Sequence, residues 1–303
     1  MEGTQMILKT RMVYLVSITT ILTTPLTATS LWAGGPIRAK VVYGEDNRLD
    51  LYQVKDSKKL QLADSTVALF KNSDLVFSNR KYTFSPDPFG QNSGLCQDEP
   101  FFDQPNAAFC SGSLVAPNII ITAGHCIEDE TECSETKFAF NYSVKSDGAY
   151  PTSIAAKDVV GCKSIIHRER TDEGPDFAVI ELTRAITHHQ PLEINRASDL
   201  KVGDTLGVIG HPSGLPTKVA FGAEVRSIES NGFFMTNLDT YGGNSGSAVF
   251  NEKTGLIEGI LVRGEEDFIY DPINGCRRSN HCSETGCRGE DVTQIDRVAP
   301  YIP

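Results

Sequence analysis

The chain has 303 residues, enough for one large domain or two small ones with an ample core. Its formal net charge of −11, from 28 Lys and Arg against 39 Asp and Glu, argues against a nucleic-acid partner, because phosphates need a basic face. No long single-sign block appears, so the acidity fits a soluble exported surface.

At the N-terminus, Lys9 and Arg11 precede an apolar stretch that starts at Met12 and fades near Leu22. Ala28-Thr29-Ser30 then offers small residues for cleavage, so residues 1–30 read as an export signal. A membrane anchor is the rival reading, but Thr19, Thr20, Thr23 and Thr24 break the run well short of ~20 apolar residues. The expectation is a secreted or periplasmic protein with no stable membrane anchor. Residues 31–40 read as a short propeptide ending Ile37-Arg38-Ala39-Lys40. A basic residue before Val41-Val42 is what a processing protease cuts, although an ordinary linker before the first strand reads equally well.

Short β-branched runs follow, separated by Gly, Pro, Asn and Asp: Ser65 to Phe70, Ser113 to Val115, Asn118 to Thr122, and Phe177 to Leu182 in the first half. Thr205 to Ile209, Lys218 to Phe221, Gly246 to Phe250 and Leu256 to Val262 continue the pattern in the second. Even spacing of such runs predicts an all-β sandwich or barrel in place of alternating βαβ units. Helical periodicity is weak, apart from a short helix after His125 and another around Val292 to Ile295. A split near residues 185–195 gives two halves, 41–190 and 191–303. The eight cysteines, an even number in an exported chain, predict up to four disulfides. Cys276, His281, Cys282 and Cys287 cluster, but without a CxxC pair they read as disulfide partners and not as a metal site.

Three short words carry the chemistry. The first is Ala123-Gly124-His125-Cys126, where a small residue and a glycine let the backbone turn tightly and present an imidazole at a cleft. In the second, Asp176 opens the apolar run Phe177-Ala178-Val179-Ile180, where an unpaired charge is costly and a partner is expected. The third is Gly242-Gly243-Asn244-Ser245-Gly246-Ser247, whose glycines let the N–H groups of Gly243 and Ser245 converge on one point, as an oxyanion hole requires. A hydroxyl is a poor nucleophile until a base takes its proton, and an imidazole does this well when a carboxylate holds its tautomer. His125, Asp176 and Ser245 are therefore the candidate catalytic residues. An inactive binding module is the alternative, but none of the three words is broken.

Together these words resemble the chymotrypsin-like serine peptidases, and most closely their bacterial glutamyl-endopeptidase-like branch, over residues 41 to 265. Val41-Val42-Tyr43-Gly44 is similar to the mature start of that branch. The resemblance implies an all-β fold of two six-stranded antiparallel β-barrels with a short C-terminal helix. It implies hydrolysis of protein or peptide substrates through an acyl-enzyme, by a monomer that needs no metal or organic cofactor. It also implies a Cys110–Cys126 disulfide, while the pairing of Cys96, Cys133, Cys162, Cys276, Cys282 and Cys287 stays open and the stretch from Cys276 to Cys287 looks like a stapled C-terminal appendage. Where digestive members carry an aspartate before the nucleophile, this chain has Asn244, so an activating ion pair is not expected there. Asp239 stands where trypsin-like members carry the acidic base of the substrate pocket, which implies a preference for basic side chains. The glutamyl branch instead uses a threonine matching Thr240 and a histidine whose place Leu261 takes here, and Arg263 faces either Asp239 or a substrate acid. His167, His188 and His189 read as solvated loop residues, and His211 in Gly210-His211-Pro212 as a neighbour of the cleft.

Overall fold

A computed structural model describes residues 41–303 except Pro86 and Ser198. The chain divides into two units, Met1–Ile37 and Arg38–Pro303, and both barrels belong to the second. The expected signal and propeptide lie outside the described residues.

Six strands form the first barrel: β1 (Thr66–Lys71), β2 (Cys110–Ala116), β3 (Ile119–Thr122), β4 (Thr136–Ala139), β5 (Val159–Arg170) and β6 (Asp176–Leu182). They close in the order β5-β6-β3-β2-β1-β4, all pairs antiparallel. Six more form the second: β7 (Thr205–Gly210), β8 (Lys218–Ile228), β9 (Phe233–Thr236), β10 (Ala248–Asn251), β11 (Ile257–Arg263) and β12 (Glu290–Gln294). Their order is β7-β10-β11-β12-β9-β8, and β8 returns to β7 to close the ring. Closure leaves neither sheet an open edge along most of its length. The two-barrel fold expected from the resemblance is thus present.

Alternation along the strands sorts side chains between two apolar regions. Leu206, Val208, Val249, Leu261 and Val292 fill the interior of the second barrel. Ile209, Ala248, Phe250, Ile260 and Val262 turn the other way and pack in one cluster with first-barrel residues such as Ile121, Phe177 and Val179. A shared apolar seam of this kind holds the two halves in register, so residues at its rim keep fixed separations.

The expected short helix after His125 is Glu130–Ser134, capped by Asp129, whose carboxylate accepts the N–H groups of Thr131 and Glu132. The C-terminal helix is Ile295–Val298, so Val292, Thr293 and Gln294 end the last strand and do not begin the helix. A capped helix at Ser57–Ala63, absent from the periodicity reading, starts where Asp56 accepts from Lys58 and Lys59. Leu49–Asp50 pairs with β8, so the segment that precedes the first barrel in sequence is bound to the second.

All eight cysteines are paired: Cys110–Cys126 as the resemblance implied, with Cys96–Cys276, Cys133–Cys162 and Cys282–Cys287. Cys276 therefore does not belong to a separately stapled appendage. It ties the hairpin formed by Phe268–Asp271 and Cys276–Ser279 to a residue 180 positions earlier. Replacing Cys96 and Cys276 by serine should cost about 5 kcal/mol on the chain-entropy scale, against ~3 for Cys110 and Cys126, because the loop it closes is far longer. Urea unfolding of the two double variants checks the ranking, and equal losses would contradict it.

Candidate active site

The first word sits at the end of β3. Ser111, next to Cys110 on β2, receives Thr122 Oγ1 on its carbonyl at 2.7 Å, which pins the strand end from which Ala123 and Gly124 turn. A Cβ on Gly124 would collide with the carbonyl oxygens of Glu169 and Phe177, so only glycine fits there. His125 is thereby delivered to Asp176 at the head of β6. Its backbone N–H donates to Asp176 Oδ1 at 3.0 Å, and its Nδ1 lies 2.7 Å from Oδ2. Asp176 is fully buried, and its own peptide is held by Thr293 Oγ1 of β12, at 3.0 Å from the N–H and 3.2 Å from the carbonyl. Two N–H donors on one carboxylate fix both oxygens, and with them the imidazole tautomer.

The third word is bound to the same wall. Ser111 N–H donates to the Ser245 carbonyl at 2.9 Å, Ser111 Oγ donates to the Gly243 carbonyl at 2.8 Å, and His211 N–H donates to Ser111 Oγ at 2.9 Å. Gly246, at φ +90°, abuts the Ser111 carbonyl and Thr122 Oγ1 so closely that a Cβ is impossible. The Ser245 carbonyl is 3.6 Å from Cys126 Sγ, beside His125, and Ser245 Oγ points toward the Val262 carbonyl at 3.4 Å. The loop carrying Ser245 thus lies directly on the loop carrying His125. The Gly242 carbonyl accepts from Ser213 N–H, within a turn where Ser213 has φ +49°. In a trans peptide the N–H points opposite to the carbonyl, so the Gly243 N–H faces away from that turn.

The pocket residues expected from the sequence fare differently. Asp239 is 2% exposed, and its carboxylate accepts Tyr43 N–H at 2.7 Å and Asn47 N–H at 3.0 Å. Both oxygens hold the segment after Val41, so Asp239 is an anchor and not the base of a substrate pocket. Burial pushes its carboxyl up to about 6, against the pull of the two amides and of Arg48. Leu261 is likewise corrected: alternation along β11 turns it into the interior of the second barrel. Arg263 meets neither Asp239 nor open solvent. Its Nε is 2.6 Å from Asp291, and its Nη2 donates to the Gly174 carbonyl at 3.0 Å, tying β11 to the loop before Asp176. Asn244 receives Ser247 Oγ on its side chain at 3.3 Å, consistent with a neutral residue.

Thr240 is buried and donates its hydroxyl at 2.8 Å to Glu290 Oε2, a residue missed in the sequence. The Glu290 carboxylate lies against the Cα of Gly264, just beyond Val262, so closely that no Cβ fits on Gly264. The signal used for Asp176 is absent here, because the strand Glu290–Gln294 is mostly polar and its acids do not stand out in the sequence. Tyr43 completes this wall, and burial followed by the Glu290 charge raises its phenol well above the ordinary range.

His211 is buried, with its ring stacked on Tyr142 at 5.6 Å and its Nδ1 3.0 Å from the Leu215 carbonyl. It supports the turn under Gly243 and does not open to a cleft. His167 stacks on Tyr301 at 3.6 Å, and His189 is buried, so neither is a solvated loop residue.

Residues 110–260 match the family described as trypsin-like peptidase domain. This match and the two closed antiparallel barrels support a serine endopeptidase of trypsin-like type. Among solved structures, a Glu endopeptidase in complex with MPD is similar at 19% identity and TM-score 0.49, over 86% of this chain and 97% of that one. The Vibrio cholerae VesB protease is similar at 13% identity and TM-score 0.49, over 84% of this chain and 66% of that one. No curated protein sequence matches the chain.

Burial holds the His211 imidazole down at about 3, so it is neutral in the fold. An unfolded histidine takes up a proton near pH 6.5, so the folded form loses stability as pH falls from about 6.5 toward 3. His211→Asn, which can still donate to Leu215, should flatten that part of the stability profile. Thermal unfolding across this window tests it, and an unchanged slope would contradict the assignment.

Proposed function

We propose that the chain is an exported serine endopeptidase in which Ser245 attacks the scissile carbonyl, His125 takes its proton, and Asp176 holds the imidazole. The observation that carries this reading is the pair of Asp176–His125 contacts, at 3.0 and 2.7 Å, on a wall to which the Ser245 loop is bonded through Ser111. Attack places negative charge on the carbonyl oxygen. The N–H groups of Gly243 and Ser245 are the donors for it, the first oriented by the Gly242–Ser213 bond. The acyl group passes to Ser245, the leaving amine takes the proton from His125, and water reverses the sequence.

For the primary pocket we infer a preference for Lys or Arg, set by Glu290. A buried carboxylate beside the strand that carries Val262 attracts a cationic side chain and repels an acidic one. The acid-selecting alternative needs the Thr240 hydroxyl as a donor, and that hydroxyl is already given to Glu290. We further infer a mature chain starting at Val41. Val41, Val42 and Tyr43 are all buried, the Val41 carbonyl accepts Thr240 N–H at 3.2 Å, and Val42–Tyr43 pairs with His281–Cys282. Four disulfides fit an oxidising compartment, and among the described residues no helix is long and apolar enough to cross a membrane.

Ser245→Ala should reduce kcat on a peptide substrate by several orders of magnitude with the fold intact, since it removes the nucleophile and little core. Near-normal turnover would end the triad reading. Glu290→Gln should lower kcat/KM for Lys and Arg substrates by about a hundredfold, the size expected when one partner of a buried charge pair is lost. A positional peptide library checks this on both proteins, and cleavage by the native enzyme after Glu alone would reject the basic pocket.

A further inference from the structure

Outside the three words, four polar side chains from three segments of the first half converge. They are Asp64 after the helix Ser57–Ala63, Asp158 in the turn before β5, and His188 and His189 after β6. His189 Nδ1 lies 2.9 Å from Asp64 Oδ2, and its ring stacks on Phe140 at 4.3 Å with the planes 10° apart. His188 Nε2 is 2.9 Å from Asp158 Oδ1, and His189 Nε2 is 3.7 Å from the same oxygen. The side chains of His189 and Asp158 are 3% and 7% exposed, while His188 is a third open at 32%. Lys157 also approaches Asp158, at 3.6 Å, but it is 72% exposed and free to swing out.

The decisive atom is His189 Nε2. It is buried and has no hydrogen-bond partner. With Nδ1–H donated to Asp64, Nε2 carries a lone pair, so it faces Asp158 acceptor to acceptor. An orphan acceptor next to a buried carboxylate is costly unless a cation lies between them. We propose that Asp158, His188 and His189 form a binding site for a divalent transition metal, zinc being the fitting ion. The three ligand atoms all lie within 4.8 Å of one another. Tetrahedral zinc with bonds near 2.0–2.1 Å needs its ligands about 3.3 Å apart, between the 2.9 and 3.7 Å seen here. Two imidazoles select zinc over calcium or magnesium, which take oxygen ligands. Asp64 is then the outer carboxylate that fixes the His189 tautomer and raises its basicity, the usual support of a metal-bound histidine. The fourth position, on the exposed side of His188, takes water. Bound there, the ion cross-links the end of the helix, the turn before β5 and the segment leaving β6, and takes no part in peptide hydrolysis.

The test uses the full mature chain, stripped with EDTA and titrated with Zn²⁺ against a chromogenic chelator. One equivalent should bind and raise the melting temperature. His188→Ala and Asp64→Asn change side chains that are largely at the surface, so both should fold. Asp64→Asn should weaken zinc binding by about 10- to 100-fold, the range for a lost outer support, His188→Ala, which removes a ligand, by at least as much, and both should leave peptidase activity unchanged in the metal-free protein. Failure to bind Zn²⁺ would overturn the proposal. So would one equivalent bound equally well by both variants, which would put the ion elsewhere, as at His125.

Discussion

Ser111 is the constraint on which the site depends. Fully buried on β2, it donates its N–H to the Ser245 carbonyl and its hydroxyl to the Gly243 carbonyl, accepts the Thr122 hydroxyl on its carbonyl, and accepts the N–H of His211 on its hydroxyl. One residue of the first barrel therefore holds the Ser245 loop, the turn beneath it and the strand end that launches His125. Each buried hydrogen bond adds only about 1 kcal/mol net. Leaving its partners unsatisfied in the seam would cost more, and that asymmetry makes the arrangement specific. The apolar face shared by Ile209, Phe250 and Val262 with Phe177 and Val179 supplies the attraction between barrels, and Ser111 supplies the register.

Buried acids explain the rest of the site. Asp176, Asp239, Glu290 and Asp291 are each nearly inaccessible, and each must be balanced locally because an isolated charge is not tolerated in the interior. Asp176 is balanced by the histidine loop and Asp291 by Arg263 and Arg288. Asp239 takes two amides of the segment after Val41, which is how the N-terminal strand becomes part of the wall. Glu290 receives the Thr240 hydroxyl and lies against Gly264.

What was legible in the sequence was local. Gly124, Gly243 and Gly246 mark places where the backbone approaches too closely for a side chain, and Asp176 marks a charge entering an apolar strand. Such signals need only a few neighbouring residues, so all three words and the barrel strands could be read. The pocket could not, because it depends on partners far apart in sequence. Asp239 looks like a pocket base until Tyr43, 196 residues away, is seen to occupy it. Leu261 aligns with a pocket residue, yet its side of the strand is set by the register of β11 against β10 and β12. His189 looks like a solvated loop residue until Asp64 and Phe140 close over it, while His188 beside it stays exposed.

In the proposed mechanism Ser245 is an activated nucleophile held in place from the first barrel. The most direct measurement is the rate of labelling by a serine-directed fluorophosphonate, with the adduct located by peptide mass mapping, on the native enzyme and on Ser111→Ala. The account predicts one adduct per chain, on Ser245, formed at least about tenfold more slowly in the variant, as loss of roughly 1.4 kcal/mol of positioning requires. An adduct on another serine, no adduct, or an undiminished rate in Ser111→Ala would contradict it.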